Sequence, residues 1–242
     1  MRTAKRARGR AARRLLSVTL ILTMAIVGLL LWAATTGPAR LDLGDPPGMS
    51  TGRALAGLRD DPAGCRALLD RAGVHYQRLA PRHDGPSCGY TAALRLTPGG
   101  ARGIALHPGE PPLTCPVAAA LAVWEWTVVQ PAARRYLGAP VVRIEHLGSY
   151  NCRHIAGSPT WSEHAAADAL DVAAFRLADG RRVSVAADWR GTGAAATFLH
   201  QVRGGACRVF ATVLSPDYNA AHHDHFHLDQ AARGAWGGRA CR

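Results

Sequence analysis

The hydrophobic pattern divides the chain near residue 35. Residues 15–34 are twenty consecutive uncharged and mostly apolar positions, and they follow a segment, 1–14, with seven basic side chains and no acid. A helix of that length, at about 1.5 Å per residue, matches a hydrocarbon core of about 30 Å. This predicts a transmembrane anchor at 15–34 and, because basic flanks stay inside, a cytoplasmic tail at 1–14. A cleaved secretory signal is the alternative.

The remaining chain alternates short apolar segments with polar segments rich in glycine and proline. Residues 35–54 have the composition of a linker, and residues 55–242 are predicted to form one domain. Helical apolar spacing predicts helices at 62–72, 117–129 and 193–202. Shorter apolar segments predict strands at 74–79, 92–96, 102–106, 141–147, 169–175, 183–187 and 223–228. The predicted fold class is α+β, a small antiparallel sheet flanked by helices, because the elements do not alternate regularly enough for a doubly wound sheet.

Three local signals refine this pattern. Thr114 is placed to cap the helix that follows it, and Pro131 is expected to kink or restart that helix. The segments at 169–175 and 183–187 are expected to form a hairpin around Asp179-Gly180. Residues 206–214 fit a helix or a strand equally well.

Much of the net charge of +12 belongs to the basic segment 1–14. Without the seven basic residues of 1–14 the net charge is +5, and no lysine follows Lys5. No long basic stripe alternates with aromatic residues, so a nucleic-acid partner is not expected.

The cysteines agree with a location outside the cytoplasm. There are six, an even number, none in the apolar segment and none in a CxxC pair. In an oxidising compartment such a set predicts three disulfides. The pairing guessed from the sequence joins Cys65 to Cys88, Cys115 to Cys152, and Cys207 to Cys241. Six buried thiols are the alternative.

Candidate chemistry begins at His164 and Asp171. Asp171 lies in the apolar segment ALDVAAF, where a buried carboxylate needs a partner. On a strand it shares a face with Ala169 and Ala173, whose small side chains leave room for a ligand. An unbroken strand would point His164 to the opposite face, so a loop must intervene if the two side chains are to converge.

A second candidate segment is HHDHFHLD, residues 222–229. As a strand it would place His223, His225, His227 and Asp229 on one face and the apolar residues between them on the other. Crowded imidazoles suit metal binding or proton transfer. Taken alone, a histidine-rich strand is also compatible with a surface feature, with residues that support ligands, or with an adventitious metal site.

Together the two segments predict a zinc site. Two imidazoles, one carboxylate and an open fourth position are an arrangement used by catalytic zinc. His225, two residues from His227, would then be placed as a general base.

The motifs resemble a known group. SEHAAADALD at 162–171 is similar to the SxHxxGxAxD signature of the D-Ala-D-Ala carboxypeptidase, lysostaphin and hedgehog-type zinc peptidases, and HFH at 225–227 is similar to their HxH motif. SYNCR at 149–153 resembles the S-x-Y-R segment that often precedes the first motif. Ala167 replaces the glycine of the signature, and the ExxH form with a glutamate base is absent.

The resemblance implies roles for five residues. His164, Asp171 and His227 would be the zinc ligands, and His225 would be the catalytic histidine. Arg153 would contact a substrate carboxylate or a developing oxyanion. A structural ion pair is the alternative for Arg153.

The order of motifs along residues 40–241 more closely resembles the bacterial extensin-like protein family. These resemblances imply a zinc-dependent peptidase or amidase that acts on peptidoglycan peptides, anchored as a single-pass protein of the inner membrane with its domain in the periplasm. A non-catalytic cell-envelope module that keeps the metal site is one alternative. A metal-handling protein that uses the histidines at 222–227 is another.

Overall fold

The computed structural model describes residues 16–30, 41–97, 100–233 and 238–242, and the chain divides into two compact units, 1–40 and 41–242. In the first unit, residues 16–30 are helical. Among the described residues, no helix combines the length and apolar character needed to cross a bilayer. The predicted anchor at 15–34 is only partly described and stays a prediction. Its residues 15 and 31–34, together with the predicted tail, lie outside the described part.

A mixed sheet forms the centre of the second unit. The strands are β1 (Tyr76–Arg78), β2 (Arg82–Gly85), β3 (Cys88–Tyr90), β4 (Leu94–Leu96), β5 (Ala105–His107), β6 (Val141–Gly148), β7 (Ala169–Leu177), β8 (Arg182–Ser184), β9 (Thr212–Leu214), β10 (Phe226–Asp229) and β11 (Ala240–Cys241). Six of them follow the order β11–β9–β10–β7–β6–β5, and β8 also pairs with β7. β1 pairs with β4, and β2 with β3, as separate ribbons. The α+β class is confirmed, but the sheet is mixed, because β5–β6 and β9–β11 are parallel pairs.

The helices pack around this sheet. They are α1 (Thr51–Gly57), α2 (Pro62–Arg71), α3 (Cys115–Trp124), α4 (Gln130–Leu137), α5 (Val185–Asp188) and α6 (Ala194–Ala206). A π-helical segment, Glu125–Val129, joins α3 to α4, and short 3₁₀ turns lie at Leu58–Asp60, Glu163–Ala166 and Ala220–His222. The helix predicted at 117–129 is thus part of a longer helical run.

Local chemistry explains where these helices begin and end. Pro131 is the second residue of α4, which restarts directly after the π-helical segment, and the run ends at Gly138, whose φ of 71° is left-handed. α6 continues to Ala206, beyond the end predicted at residue 202. A Cβ on Gly205 would lie 2.2 Å from a Val128 methyl carbon, so this glycine permits close helix packing.

One strand prediction also needs correction, and the structure decides one segment that the sequence left open. The segment predicted as a strand at 183–187 extends only to Ser184 before α5 begins. The hairpin partner of β7 is therefore only three residues long, although β7 and β8 do pair antiparallel. The ambiguous residues 206–214 form the end of α6, a turn and β9.

The core centres on α3, whose ten residues are all buried. A helix that is apolar on every side is expected to lie inside the protein. Trp124 contacts Phe175 of β7 and Phe210, and its indole N–H donates to the Val202 carbonyl, 2.7 Å away. This contact links α3 to both the sheet and α6. Residues 41–54, predicted as linker, belong to the second unit, where Leu43 is fully buried.

All six cysteines form disulfides, as predicted. The bonds are Cys65–Cys115, Cys88–Cys152 and Cys207–Cys241. The third pairing is confirmed and the other two predicted pairings are wrong. The physical reason is topological, because α2 packs on α3 and the β2–β3 ribbon lies against the loop after β6, and neither contact is local in sequence.

One buried acid stands out beside this core. Glu125, at the start of the π-helical segment, is fully buried. One carboxyl oxygen accepts a hydrogen bond from the Arg102 backbone N–H at 3.3 Å, and the other has no partner among the described residues. Burial raises the pKa of Glu125 well above its usual value, against the opposing effect of Arg102.

Glu125→Gln is expected to change the pH dependence of stability. Because burial raises the folded-state pKa, the stability that this carboxyl supports is fully present below its unfolded pKa near 4.5 and is lost as pH rises toward the folded value. The free energy of unfolding of the wild type, relative to the variant, should therefore fall by up to about 1.4 kcal/mol per pH unit. Urea unfolding of the oxidised chain across this range measures the effect. Asp45→Asn, at an exposed acid, is the control, and a difference that stays constant with pH would contradict the prediction.

Candidate metal centre

Asp171 and His227 are brought together by strand pairing. In the antiparallel pair of β7 and β10, His227 lies directly opposite Asp171. Residues directly opposite in such a pair project their side chains from the same face of the sheet. As predicted, Asp171 shares its face with Ala169 and Ala173, which leaves space beside the carboxylate.

His164 reaches the same point from a turn. It lies in the 3₁₀ turn Glu163–Ala166, which is followed by Ala167 with φ 56° and ψ 26°. This is the only non-glycine residue with positive φ in the described part of the chain. Ala167 therefore adopts the left-handed conformation that the glycine of the resembled signature would favour, and the predicted loop between His164 and β7 is confirmed.

The three side chains converge on one another. The distances are 3.1 Å from His164 Nε2 to His227 Nδ1, 3.2 Å from His164 Nε2 to Asp171 Oδ2, and 3.0 Å from His227 Nδ1 to Asp171 Oδ1. All three groups offer one ligand atom within 4.8 Å of the others, and both histidines are buried. His164, Asp171 and His227, here called the triad, form a group with the geometry to hold a metal ion.

Neighbouring acceptors orient both imidazoles of the triad. His164 Nδ1 lies 2.5 Å from the Ser149 carbonyl oxygen, so it donates its proton there and leaves Nε2 as the acceptor. His227 Nε2 lies 2.9 Å from Asp229 Oδ2, which favours the proton on Nε2 and a lone pair on Nδ1. The two unprotonated nitrogens then point at the same space. Such outer hydrogen bonds are the usual support of histidine ligands.

The electrostatics of the triad favour a cation. Burial opposes ionisation of Asp171, yet its side-chain contacts with the His164 and His227 imidazoles hold its pKa well below the usual value. Burial likewise opposes protonation of His227, but hydrogen bonds to Asp171 and Asp229 raise its pKa to about 9. The triad therefore presents a buried carboxylate held ionised between two imidazoles, an arrangement that favours a bound cation.

His225 lies beside the triad but is not on a strand with His227, because β10 begins at Phe226. Its side chain is mostly buried; Nδ1 lies 2.8 Å from Asp224 Oδ1, and Nε2 lies 3.6 Å from Asp171 Oδ1. Asp224 therefore favours the tautomer that leaves Nε2 unprotonated and directed toward the triad.

His223 does not share this face, so that prediction is wrong. It follows the 3₁₀ turn Ala220–His222 with helical backbone angles, is exposed, and has Nδ1 2.9 Å from the Ala220 carbonyl oxygen. His222 lies nearer. Its ring centroid is 5.2 Å from that of His225 and 6.0 Å from that of His227. Burial, then the charges of these two histidines, lowers its pKa to about 4. Strand alternation did not predict His222 as a site residue, because the 3₁₀ turn, and not a strand, determines where its side chain lies.

A cleft of about 540 Å³ opens over Asp171 and His227 of the triad, and Arg153, His222 and His225 also line it. Arg153 is exposed, and its guanidinium donates to the His154 carbonyl at 3.4 Å. It forms no ion pair with a carboxylate in the part of the chain that the structure describes. Glu163 also faces the cleft, and burial, then Asp168 and Asp229, raises its pKa to about 7.

The two nearby aspartates have different roles. Asp229 orients His227, as described above. Asp168 does not contact a histidine. It forms an ion pair with Arg59 at 2.5 Å and accepts a hydrogen bond from Thr114, so it ties the turn after His164 to α1–α2 and to the start of α3.

Comparison with known proteins adds one match. A family model described as Extensin-like protein C-terminus matches residues 63–242, which include all five predicted site residues. No curated protein matches the chain significantly, and no solved structure does. The similarity of the motifs to zinc peptidases stays a prediction.

Proposed function

The chain belongs to the extensin-like protein family, and we propose that its domain is a zinc-dependent peptidase or amidase that acts on peptidoglycan peptides outside the cytoplasm. The observation that carries the proposal is the convergence of His164, Asp171 and His227 with both imidazoles oriented by outside acceptors. Zinc is the proposed metal because two imidazoles and one carboxylate are a ligand set of catalytic zinc. Three disulfides support a location outside the cytoplasm.

Each residue of the site has its own role in the proposed reaction. Bound zinc supplies Lewis-acid polarisation of a carbonyl and acidifies water. His225 accepts a proton at Nε2, and the Asp224 carboxylate, 2.8 Å from its Nδ1, stabilises the imidazolium that forms. Arg153, at the edge of the cleft, binds a substrate carboxylate or the oxyanion.

The proposal is tested with the full chain, purified with its disulfides intact. One zinc per chain by elemental analysis and release of soluble fragments from purified sacculi are expected, and both should be lost after chelation and restored by zinc. A chain that takes up no zinc would refute the metal, whereas zinc uptake without fragment release would refute the reaction.

The alternative is a non-catalytic envelope module in which the metal is structural. The proximity of His222 favours it, because structural zinc sites are closed by four protein ligands and His222 is another imidazole near the triad.

His222→Ala separates the two functions. For the enzyme, zinc content is expected to stay at one per chain, because the fourth position is kept for water or substrate. For the structural module, loss of a fourth ligand should weaken zinc binding by roughly a hundredfold. Competition with a chromogenic chelator measures the affinity. His200→Ala, on α6 outside the cleft, is the matched control.

A further inference from the structure

The face of the sheet that carries the triad continues across two more strands. His227 of β10 lies opposite Leu214 of β9, and Thr212 of β9 lies opposite Ala240 of β11. Arg242 directly follows β11 and lines the same cleft as Ala240. The floor of the cleft therefore extends from β7 to the edge strand β11.

Two arginines lie at the far end of this floor. Arg233 and Arg242 both line the cleft and are exposed, and the Arg233 guanidinium donates to the Thr212 hydroxyl. Neither forms an ion pair with a carboxylate among the described residues. Asp229 lies between them and the triad, but its oxygens accept from His227 and from the Ala231 N–H at 2.9 Å. These two guanidinium groups are therefore available to a ligand.

Five arginines elsewhere on the domain are within ion-pair distance of an acid, which balances their charge locally: Arg59, Arg82, Arg176, Arg181 and Arg182. The guanidinium groups of Arg233 and Arg242 are unpaired at one end of the cleft, and the nearby Asp229 already accepts hydrogen bonds from other groups. The two guanidinium groups therefore produce a local positive potential that attracts a carboxylate.

The strand order sets the separation between the two ends. β11 is two strands away from β10, and neighbouring strands lie about 4.8 Å apart, so Arg242 begins about 10 Å from His227. Thr212, which Arg233 contacts, is one strand across and two residues along, roughly 8 Å from His227. An extended peptide advances about 3.3 Å per residue, so a distance of about 10 Å corresponds to about three residues.

We infer that the cleft binds an extended acidic peptide, with one carboxylate held by Arg233 and Arg242 about three residues from the carbonyl beside the triad. The position of that carbonyl rests on the proposed function, whereas the carboxylate contact does not. Apolar groups also line the cleft, at Leu214 and at Tyr218, which is 48% exposed. A polyanion such as nucleic acid fits poorly, because Asp171 and Asp229 lie on the same floor.

The test uses the full chain, both zinc-loaded and chelator-treated, with acetyl-hexaalanine amides that carry one glutamate at each position in turn. The matched probes carry glutamine at the same position. Isothermal titration should show about tenfold to hundredfold tighter binding of a glutamate peptide than of its glutamine partner, and this preference should disappear in the double variant Arg233→Gln, Arg242→Gln. Arg190→Gln, at an exposed arginine outside the cleft, should retain it.

The outcomes separate this inference from the proposed function. A preference that persists in the double variant, or that is absent in the wild type, would overturn the carboxylate site even if sacculi are hydrolysed. A chain that binds no zinc but shows the preference, and loses it with the two arginines, supports the site while the peptidase proposal fails. Circular dichroism of the double variant shows whether it is folded, and the single variants Arg233→Lys and Arg242→Lys, which keep the charge, should retain most of the preference.

Discussion

Replacing Asp171 with alanine is expected to remove tight metal binding from a chain that still folds. Asp171 contacts both histidines of the triad and, within the described part of the chain, is the only carboxylate within 3.2 Å of both acceptor nitrogens. Four-ligand zinc sites bind with about 10–16 kcal/mol, so one ligand accounts for roughly 3 kcal/mol, or about a hundredfold in affinity. The Kd for zinc, measured by competition with a chromogenic chelator, should rise by at least that factor.

The control for this variant is Asp179→Ala. Asp179 is an exposed acid in the turn between β7 and β8, where it pairs with Arg181 at 2.7 Å. Its removal should leave the zinc Kd unchanged. Equal affinity in the wild type and in Asp171→Ala would contradict the metal centre and favour a metal-handling role for the histidines at 222–227, which does not depend on Asp171.

The sequence predicted the side chains of the triad better than their surroundings. His164, Asp171 and His227 each belong to a motif whose pattern is local, because strand alternation and a turn decide which way the side chains point. The hydrogen bonds to Ser149 and Asp229 depend on distances across the fold, and no spacing within one segment contains them. The register of β7 against β10 is a tertiary property of the same kind.

The errors of prediction have a common physical origin. The strand predicted at 223–228 begins late because Asn219 caps a 3₁₀ turn, accepting from the Ala221 N–H at 3.0 Å, and this turn rotates His223 out to solvent. The two wrong disulfide pairings assumed neighbours along the chain, whereas Cys65 and Cys115 are 50 residues apart. In the first case a capped turn replaces the strand that the local pattern predicts. In the second, a tertiary contact between distant segments decides the pairing, and the local sequence does not contain it.

The same turn that misled the strand prediction shapes the cleft. By ending before Phe226 it places His222 above His225 and His227, and it leaves His225 at the entrance to β10 rather than within it. His225 is therefore held by Asp224 and by the cleft wall rather than by strand pairing. A residue held in this way is oriented for proton transfer without being part of the sheet.

His225→Ala should separate chemistry from metal binding. The variant loses the group proposed to accept a proton but keeps all three residues of the triad, so zinc should remain at one per chain. General bases contribute about 10²- to 10⁴-fold to the rate, and kcat for release of peptide fragments from sacculi should fall by that factor with little change in KM. Elemental analysis and fragment release by liquid chromatography measure the two quantities on one preparation.

His223→Ala is the matched control, since His223 is two residues away and exposed; its Nδ1 lies 2.9 Å from the Ala220 carbonyl oxygen and 3.9 Å from Asp224 Oδ1, beyond hydrogen-bond distance of that carboxylate. Its fragment release and zinc content should equal those of the wild type. If both variants kept full activity, His225 would not be the base, and Glu163, whose pKa of about 7 suits a proton acceptor near neutral pH, would be the next carboxylate in the cleft to replace. If His225→Ala lost zinc along with activity, His225 would act as a ligand, and the open fourth position that the peptidase requires would be filled by the protein itself.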